Sequence, residues 1–270
     1  MTTETAAPGQ FTHDQYCDEV LAQTALLARH LVGADLSALV PTCPGWTLRD
    51  LVVHTGGVHR WVDTIVRTRS SEPVPDEKVP GGEGPVSDEP DALVDWLLEG
   101  AELVVDALRT AGPDVPVWSW GWHRSTGFWA RRMTHETVIH RADVALTTGV
   151  GFEVAPEFAA DALDEWLQIV RYTQQAYPAQ PSAELRGGGR SLHLHATDVP
   201  PELNAEWLIE LDEDGFSWRR GHEKATVALR GPLTDVLLAF YRREPLDGGR
   251  VEVLGERELL DFWLERATFV

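Results

Sequence analysis

The chain has 270 residues, 43% of them hydrophobic and 24% charged, with a formal net charge of -20. That length and composition describe an ordinary globular chain, long enough for two domains of typical size. The excess of acid argues against nucleic acid or an anionic membrane as a partner, since phosphate is gripped by clustered Lys and Arg, and leaves small molecules.

Met1 to Gln10 contains neither a basic stretch nor an apolar h-region. No apolar run approaches the roughly eighteen residues of a membrane span, so the sequence reads as cytoplasmic. Tyr16, Val20, Thr24, Leu27 and Leu31 are spaced as one face of a first helix. Cys17 and Cys43 stand in no CxxC arrangement and read as reduced thiols, not a disulfide framework. Thr47, with Asp50 three residues later, looks like a capping box. The helix it opens runs to about Thr68 and carries Leu51, His54, Val58, Trp61 and Ile65 on an inward stripe. The link from Ser70 to Pro90 is rich in Pro, Gly and acidic residues, and is long enough to cross a bundle instead of making a tight hairpin. Leu93, Leu97, Gly100, Val104 and Leu108 mark a third helix. From Gly112 to Ser125 a shorter link carries Trp118, Trp120 and Trp122, which either roof a pocket or plug the bundle end.

The fourth helix, Gly127 to Ala145, holds the chemistry. Its inward face runs Trp129, Met133, Glu136, His140, Val144, so a carboxylate and an imidazole occupy places where a core stripe should be apolar. A carboxylate taken out of water must be protonated, paired or bound to a metal. With His54 on the second stripe, Glu136 and His140 complete a two-His-one-carboxylate set, which binds zinc or another divalent ion and leaves positions open for water or substrate. The bland alternative is a hydrogen-bonded His–Glu network in the core. His135 and His140 are five apart, about 140° off a shared face, so His135 is a neighbour or a surface residue and not a ligand. His13, His30, His59, His123 and His222 lack comparable company, and His193 and His195 sit at strand spacing; none is assigned chemistry.

After a helix from Pro156 to about Ala176 the pattern changes to strands at Ser191–Ala196, Trp207–Leu211, Phe216–Arg219 and Thr226–Leu229, with Asp214-Gly215 as a hairpin signal. A helix Pro232–Arg243, a strand Arg250–Leu254 and a helix Glu256–Glu265 complete a small α+β domain. Gly187-Gly188-Gly189 precedes a strand, so it is a turn and not a phosphate cradle, and there is no Walker loop and no GxSxG elbow. The expected fold class is α+β, with residues 1–150 a four-helix bundle and 151–270 the α+β domain. Of the 23 basic residues only Lys78 and Lys224 are lysines, a mark of a GC-rich genome.

The runs Cys43-Pro44-Gly45-Trp46-Thr47, Asp50-Leu51-Val52-Val53-His54 and Arg131-Arg132-Met133-Thr134-His135-Glu136-Thr137-Val138-Ile139-His140-Arg141-Ala142-Asp143 resemble the mycothiol-dependent maleylpyruvate isomerase family of actinobacteria. His193-Leu194-His195-Ala196-Thr197-Asp198 and Gly231-Pro232-Leu233-Thr234-Asp235 are similar to the small domain of that family. The resemblance implies a DinB-like four-helix bundle, zinc on His54, Glu136 and His140, and mycothiol as co-substrate acting on a small electrophile. It leaves catalytic residues beyond the ligands unassigned, and leaves isomerase and thiol S-transferase both open. A non-catalytic metal-containing binding protein and a thiol-independent zinc hydrolase are the alternatives. The link Ser71 to Pro90 holds Lys78 and no arginine amid several acids. It departs there from the family's founding isomerase, which has an arginine suited to a dicarboxylate, and points to a neutral, cationic or bulky electrophile.

Overall fold

The structure, a computed structural model, describes residues 11–87 and 89–268. The stretch Met1 to Gln10, read above as free of a leader, lies outside the described residues. No helix among them is long and apolar enough to cross a membrane. The chain divides into two units, Met1–Phe152 and Glu153–Val270, and its fold is α+β.

In the first unit, Thr12 caps helix α1 (His13–His30) and Thr47 caps α2 (Leu48–Thr68), each through a complete capping box. Such a cap satisfies otherwise orphaned backbone donors and is worth about 1 kcal/mol. Pro90 opens α3 (Pro90–Ala111), where a missing N–H costs nothing, and Gly149 ends α4 (Thr126–Thr148) in the left-handed conformation. Helices α1 and α2 each pack against both α3 and α4. The link after α2 therefore does not cross the bundle as its length implied, because α2 and α3 are side-by-side neighbours. Its residues lie along α2 and α3: the Trp61 and Trp96 indoles donate to the Val74 and Gly81 carbonyls at 2.7 and 3.0 Å.

Helix α4 is buried on every face; between Phe128 and Ala145 only Arg131 and Glu136 escape full burial. On α2 the buried residues are Leu48, Leu51, Val52, Thr55, Gly56, His59, Arg60, Val62, Ile65 and Val66, so Leu51 and Ile65 of the predicted stripe are in the core while its middle is rotated out of it. His54, Val58 and Trp61 are only half-buried. Close packing of α2 on α3 depends on Gly56, where an added Cβ would run into the Trp96 indole. Gly56→Ala should therefore lower stability by about 1–3 kcal/mol by overpacking, although alanine is the better helix former by about 1 kcal/mol. Chemical denaturation checks this, and an unchanged or higher midpoint would mean that the indole yields freely.

The second unit opens with α5 (Pro156–Ala176). Its five strands are β1 (Arg190–Ala196), β2 (Glu206–Leu211), β3 (Phe216–Arg220), β4 (Val227–Gly231) and β5 (Glu252–Gly255), ordered β3-β2-β1-β4-β5. All neighbours are antiparallel except β1 and β4, which are parallel. Asp212 closes the β2–β3 hairpin, its Oδ1 accepting from the Gly215 and Asp214 amides at 2.7 and 2.9 Å. Helix α6 (Leu233–Phe240) ends earlier than the sequence pattern implied, since Arg242 turns left-handed at φ 61° and the Arg243 amide bonds back to the Leu238 carbonyl. With α7 (Arg257–Arg266), the sheet encloses Trp207, Phe216, Phe240 and Trp263, all fully buried.

Candidate metal centre

The sequence's two polar interruptions meet in space. His54 Nε2 lies 3.2 Å from Glu136 Oε1, and His140 Nε2 lies 3.1 Å from the same oxygen. The His54 and His140 rings stand edge to face at 5.0 Å. Donor atoms held tetrahedrally at zinc's 2.0–2.1 Å would be about 3.3 Å apart. Each imidazole nitrogen thus stands from the Glu136 oxygen at about the separation an ion requires, all three donor atoms lie within 4.8 Å of one another, and their residue types suit zinc or a similar divalent metal.

Two carboxylates divide the His140 imidazole between them. Asp143 Oδ2 takes Nδ1 at 2.9 Å, and a carboxylate can only accept, so Nδ1 carries hydrogen and Nε2 faces Glu136. Asp143 is fully buried and also accepts from Thr42 Oγ1 at 2.6 Å. This is the carboxylate–histidine arrangement that fixes the tautomer of metal-binding imidazoles. Arg132, four residues before Glu136, reaches Glu136 Oε2 at 3.2 Å and leaves Oε1 for the histidines. Trp46, from the link before α2, tilts against His54 at 4.9 Å between ring centroids.

The electrostatics agree with this layout. Burial alone would push the Glu136 carboxyl up, but His140, His54 and Arg132 outweigh it and hold it well below the usual carboxylate range. Burial would likewise depress His140, yet Glu136 and Asp143 hold its pKa well above the ordinary histidine value. An ion would displace the proton on Nε2, as metal ligation requires.

Asp143, Arg132 and Trp46 were missed as site residues. Asp143 stands at i+3 from His140 and Arg132 at i−4 from Glu136, so helical spacing alone could have found both. Cys43 also approaches, its Sγ 3.5 Å from Asp143 Oδ2, and Cys43, His140 and Asp143 form a second metal-capable group on the Nδ1 side of the ring. His135 is no surface residue: it is fully buried and packs edge to face on Tyr16 at 6.2 Å, away from the triad.

Trp118 and Trp129 do not touch the triad either. They cluster on Trp61, at 5.5 and 5.4 Å. Trp61 lies seven residues after His54 and Trp129 seven before Glu136. Facing one another in pairs, the two helices are antiparallel, and the aromatic cluster sits about 10 Å along their shared groove.

His59, on the next turn of α2, is neutral by geometry. Thr137 Oγ1 gives its proton to the Met133 carbonyl, so His59 Nε2 must donate to Thr137 Oγ1 at 2.9 Å. Its Nδ1 is buried without a hydrogen-bond partner, and burial lowers the pKa to about 4. Stability from a depressed histidine is complete above pH 6.5, the unfolded value, and is lost as pH falls through the folded one. His59→Gln keeps the donor to Thr137, so relative to the parent it should gain about 3 kcal/mol between pH 7.5 and pH 4. Urea titrations at both pH values measure the gap, and a pH-independent gap would rule the mechanism out.

A helical bundle presenting an inward His–Glu–His constellation, continued by an α+β unit, defines the structural class. The chain belongs to the mycothiol-dependent maleylpyruvate isomerase family: residues 17–145 match the model described as the mycothiol maleylpyruvate isomerase N-terminal domain, and residues 157–262 match the MDMPI C-terminal domain. It is similar in fold to a crystal structure of the mycothiol-dependent maleylpyruvate isomerase, at 16% identity and TM-score 0.57, covering 95% of this chain and 97% of that one. A histidine-to-alanine mutant of that isomerase matches at 17% identity and TM-score 0.60 with the same coverage. No curated protein matches the chain.

Proposed function

We propose that this protein holds zinc, or another divalent ion, on His54, Glu136 and His140 and activates mycothiol for attack on a small electrophile, as a thiol S-transferase or cis–trans isomerase. The observation that carries this reading is the convergence of two imidazole nitrogens on one oxygen of Glu136, with His54 and Glu136 both partly open to solvent. The family, and the two similar structures of a mycothiol-dependent isomerase, suggest the thiol.

His54, Glu136 and His140 would hold the ion, which when bound would supply the Lewis acidity that favours a thiolate over a thiol. The chain's own residues prepare that site. Asp143 fixes the His140 tautomer, Arg132 orients the Glu136 carboxylate, and Trp46 holds the His54 ring. In the reaction the thiolate sulfur's electron pair forms a bond to an electrophilic carbon, and the π pair of that carbon moves onto the conjugated acceptor. An isomerase then rotates the weakened bond and expels the same thiol; a transferase protonates the adduct, or loses a leaving group, and releases the conjugate. Trp61 and Trp118, both partly exposed and backed by the buried Trp129, offer apolar surface to a bulky substrate. The link along α2 and α3 carries Glu72, Asp76, Glu77, Glu83 and Glu89 against Lys78 and disfavours a dianion.

The test is turnover of an electrophile panel with and without mycothiol, including maleylpyruvate, neutral conjugated carbonyls and activated aryl halides. Mycothiol-dependent conversion is expected, with neutral or bulky members ahead of maleylpyruvate. Turnover that needs no thiol would make the protein a hydrolase, and a metal-loaded protein inert to the whole panel would make it a binding module.

A further inference from the structure

The second unit gathers three histidines that the sequence reading left without chemistry. His193 and His195 alternate on β1 and so share one face of the sheet. The antiparallel register sets Glu206 of β2 directly opposite His195. The chain leaves β3 with the Gly221 amide bonded to the Glu206 carbonyl at 3.0 Å, which brings His222 to the same face. His193 Nε2, His195 Nδ1 and His222 Nδ1 lie 2.8, 2.9 and 2.7 Å from the one oxygen Glu206 Oε2. The three rings form a near-equilateral triangle with centroids 5.3–5.4 Å apart and planes crossed at 71–88°.

Hydrogen bonding does not account for this triangle. His222 Nδ1 makes an aligned bond to Glu206. His193 is only 5% exposed, and its Nε2 is buried without a hydrogen-bond partner although the carboxylate oxygen is close by. A buried ring nitrogen left beside an acceptor without an aligned hydrogen bond is costly. It is satisfied when its lone pair, with those of two other imidazoles, is directed at a cation. All four donor atoms lie within 4.8 Å of one another.

We propose that His193, His195, His222 and Glu206 form a second metal site, for a divalent transition ion of the zinc class. Three imidazole nitrogens and a carboxylate oxygen complete a tetrahedral shell, which is the make-up of a closed structural site. The ion would tie β1, β2 and the turn after β3 together at the edge half of the sheet. Nothing in this argument depends on the first site, because no ligand is shared.

Metal analysis of the full chain, purified without a histidine tag and loaded with zinc, tests it. The expected content is about two zinc ions per chain, falling to about one in His222→Asn and to about one in Glu136→Ala, and to none in the double variant. Because His222 is an exposed side chain, at 71%, its replacement leaves the fold intact; circular dichroism confirms that, and His195→Asn serves as a second variant. One ion lost in Glu136→Ala but kept in His222→Asn would overturn the second site alone. One ion with the opposite pattern would overturn the first site and uphold the second. Chelation should also lower the thermal midpoint of Glu136→Ala, and a midpoint indifferent to chelator would remove the structural role.

Discussion

Glu136→Ala and His140→Ala should each strip the proposed bundle site of zinc, with apparent affinity reduced by several orders of magnitude and thiol-dependent turnover abolished. Each substitution removes one of three protein ligands and strands a neighbour: without Glu136 two imidazoles face each other uncompensated, and without His140 the buried Asp143 loses its cation. His54→Ala behaves alike in metal content but costs less stability, since His54 is half-exposed. Asp143→Asn keeps every ligand and loses only the fixed tautomer, so a drop of about 10–100-fold in affinity is expected. His135→Ala retains the metal, because that ring packs on Tyr16. Affinity also has a sign with pH. The raised pKa of His140 means that a proton must leave as the ion arrives, so apparent affinity climbs with pH by about tenfold per unit while that proton is displaced. Isothermal titration in buffers of different ionisation enthalpy reads both affinity and proton release. Full metal occupancy in Glu136→Ala and His140→Ala together would refute the assignment.

Cobalt in place of zinc should report whether the thiol reaches the ion. The proposed shell offers only nitrogen and oxygen, so the resting protein shows no sulfur-to-cobalt charge-transfer band. Saturating mycothiol should create one, because the open position takes a thiolate, and an electrophile that consumes the thiolate should weaken it. A spectrum unmoved by mycothiol removes the mechanism. A band present at rest would identify Cys43, on the Nδ1 side of His140, as a ligand; Cys43→Ser, which should leave the resting spectrum unchanged, separates these outcomes. His222→Asn should likewise leave the mycothiol response intact, since its cluster holds no sulfur.

The helices were legible because each declares itself by period, and α2 also by punctuation, with Thr47 and Asp50 at its start; Gly149, which ends α4 at Thr148, three residues beyond the expected Ala145, was a stop signal left unread. His54, Glu136 and His140 were legible as candidates because they interrupt apolar stripes. What periodicity could not convey is what lies off the stripe. On α4 the rule that an off-stripe residue meets solvent fails, since the helix is enclosed on all sides, and that is why His135 is buried. The length of the link after α2 said nothing of its route, which is set by where the Trp61 and Trp96 indoles find carbonyls. His193, His195, Glu206 and His222 were opaque for another reason. Strand alternation reveals the pair on β1, but the partner across the ladder is fixed by register, which pattern alone does not give.

The enclosure of α4 has a consequence for how the protein breathes. A helix with no solvent face has no side from which to fray, so its amides should exchange hydrogen only when the whole bundle opens, and they should be among the slowest in the chain. Glu136 and His140 therefore ride on the least mobile part of the first unit, while His54 belongs to a helix whose outer turns can loosen locally. Any gating of the groove has to come from α2 and the link laid along it, with α4 as the fixed anvil against which they close.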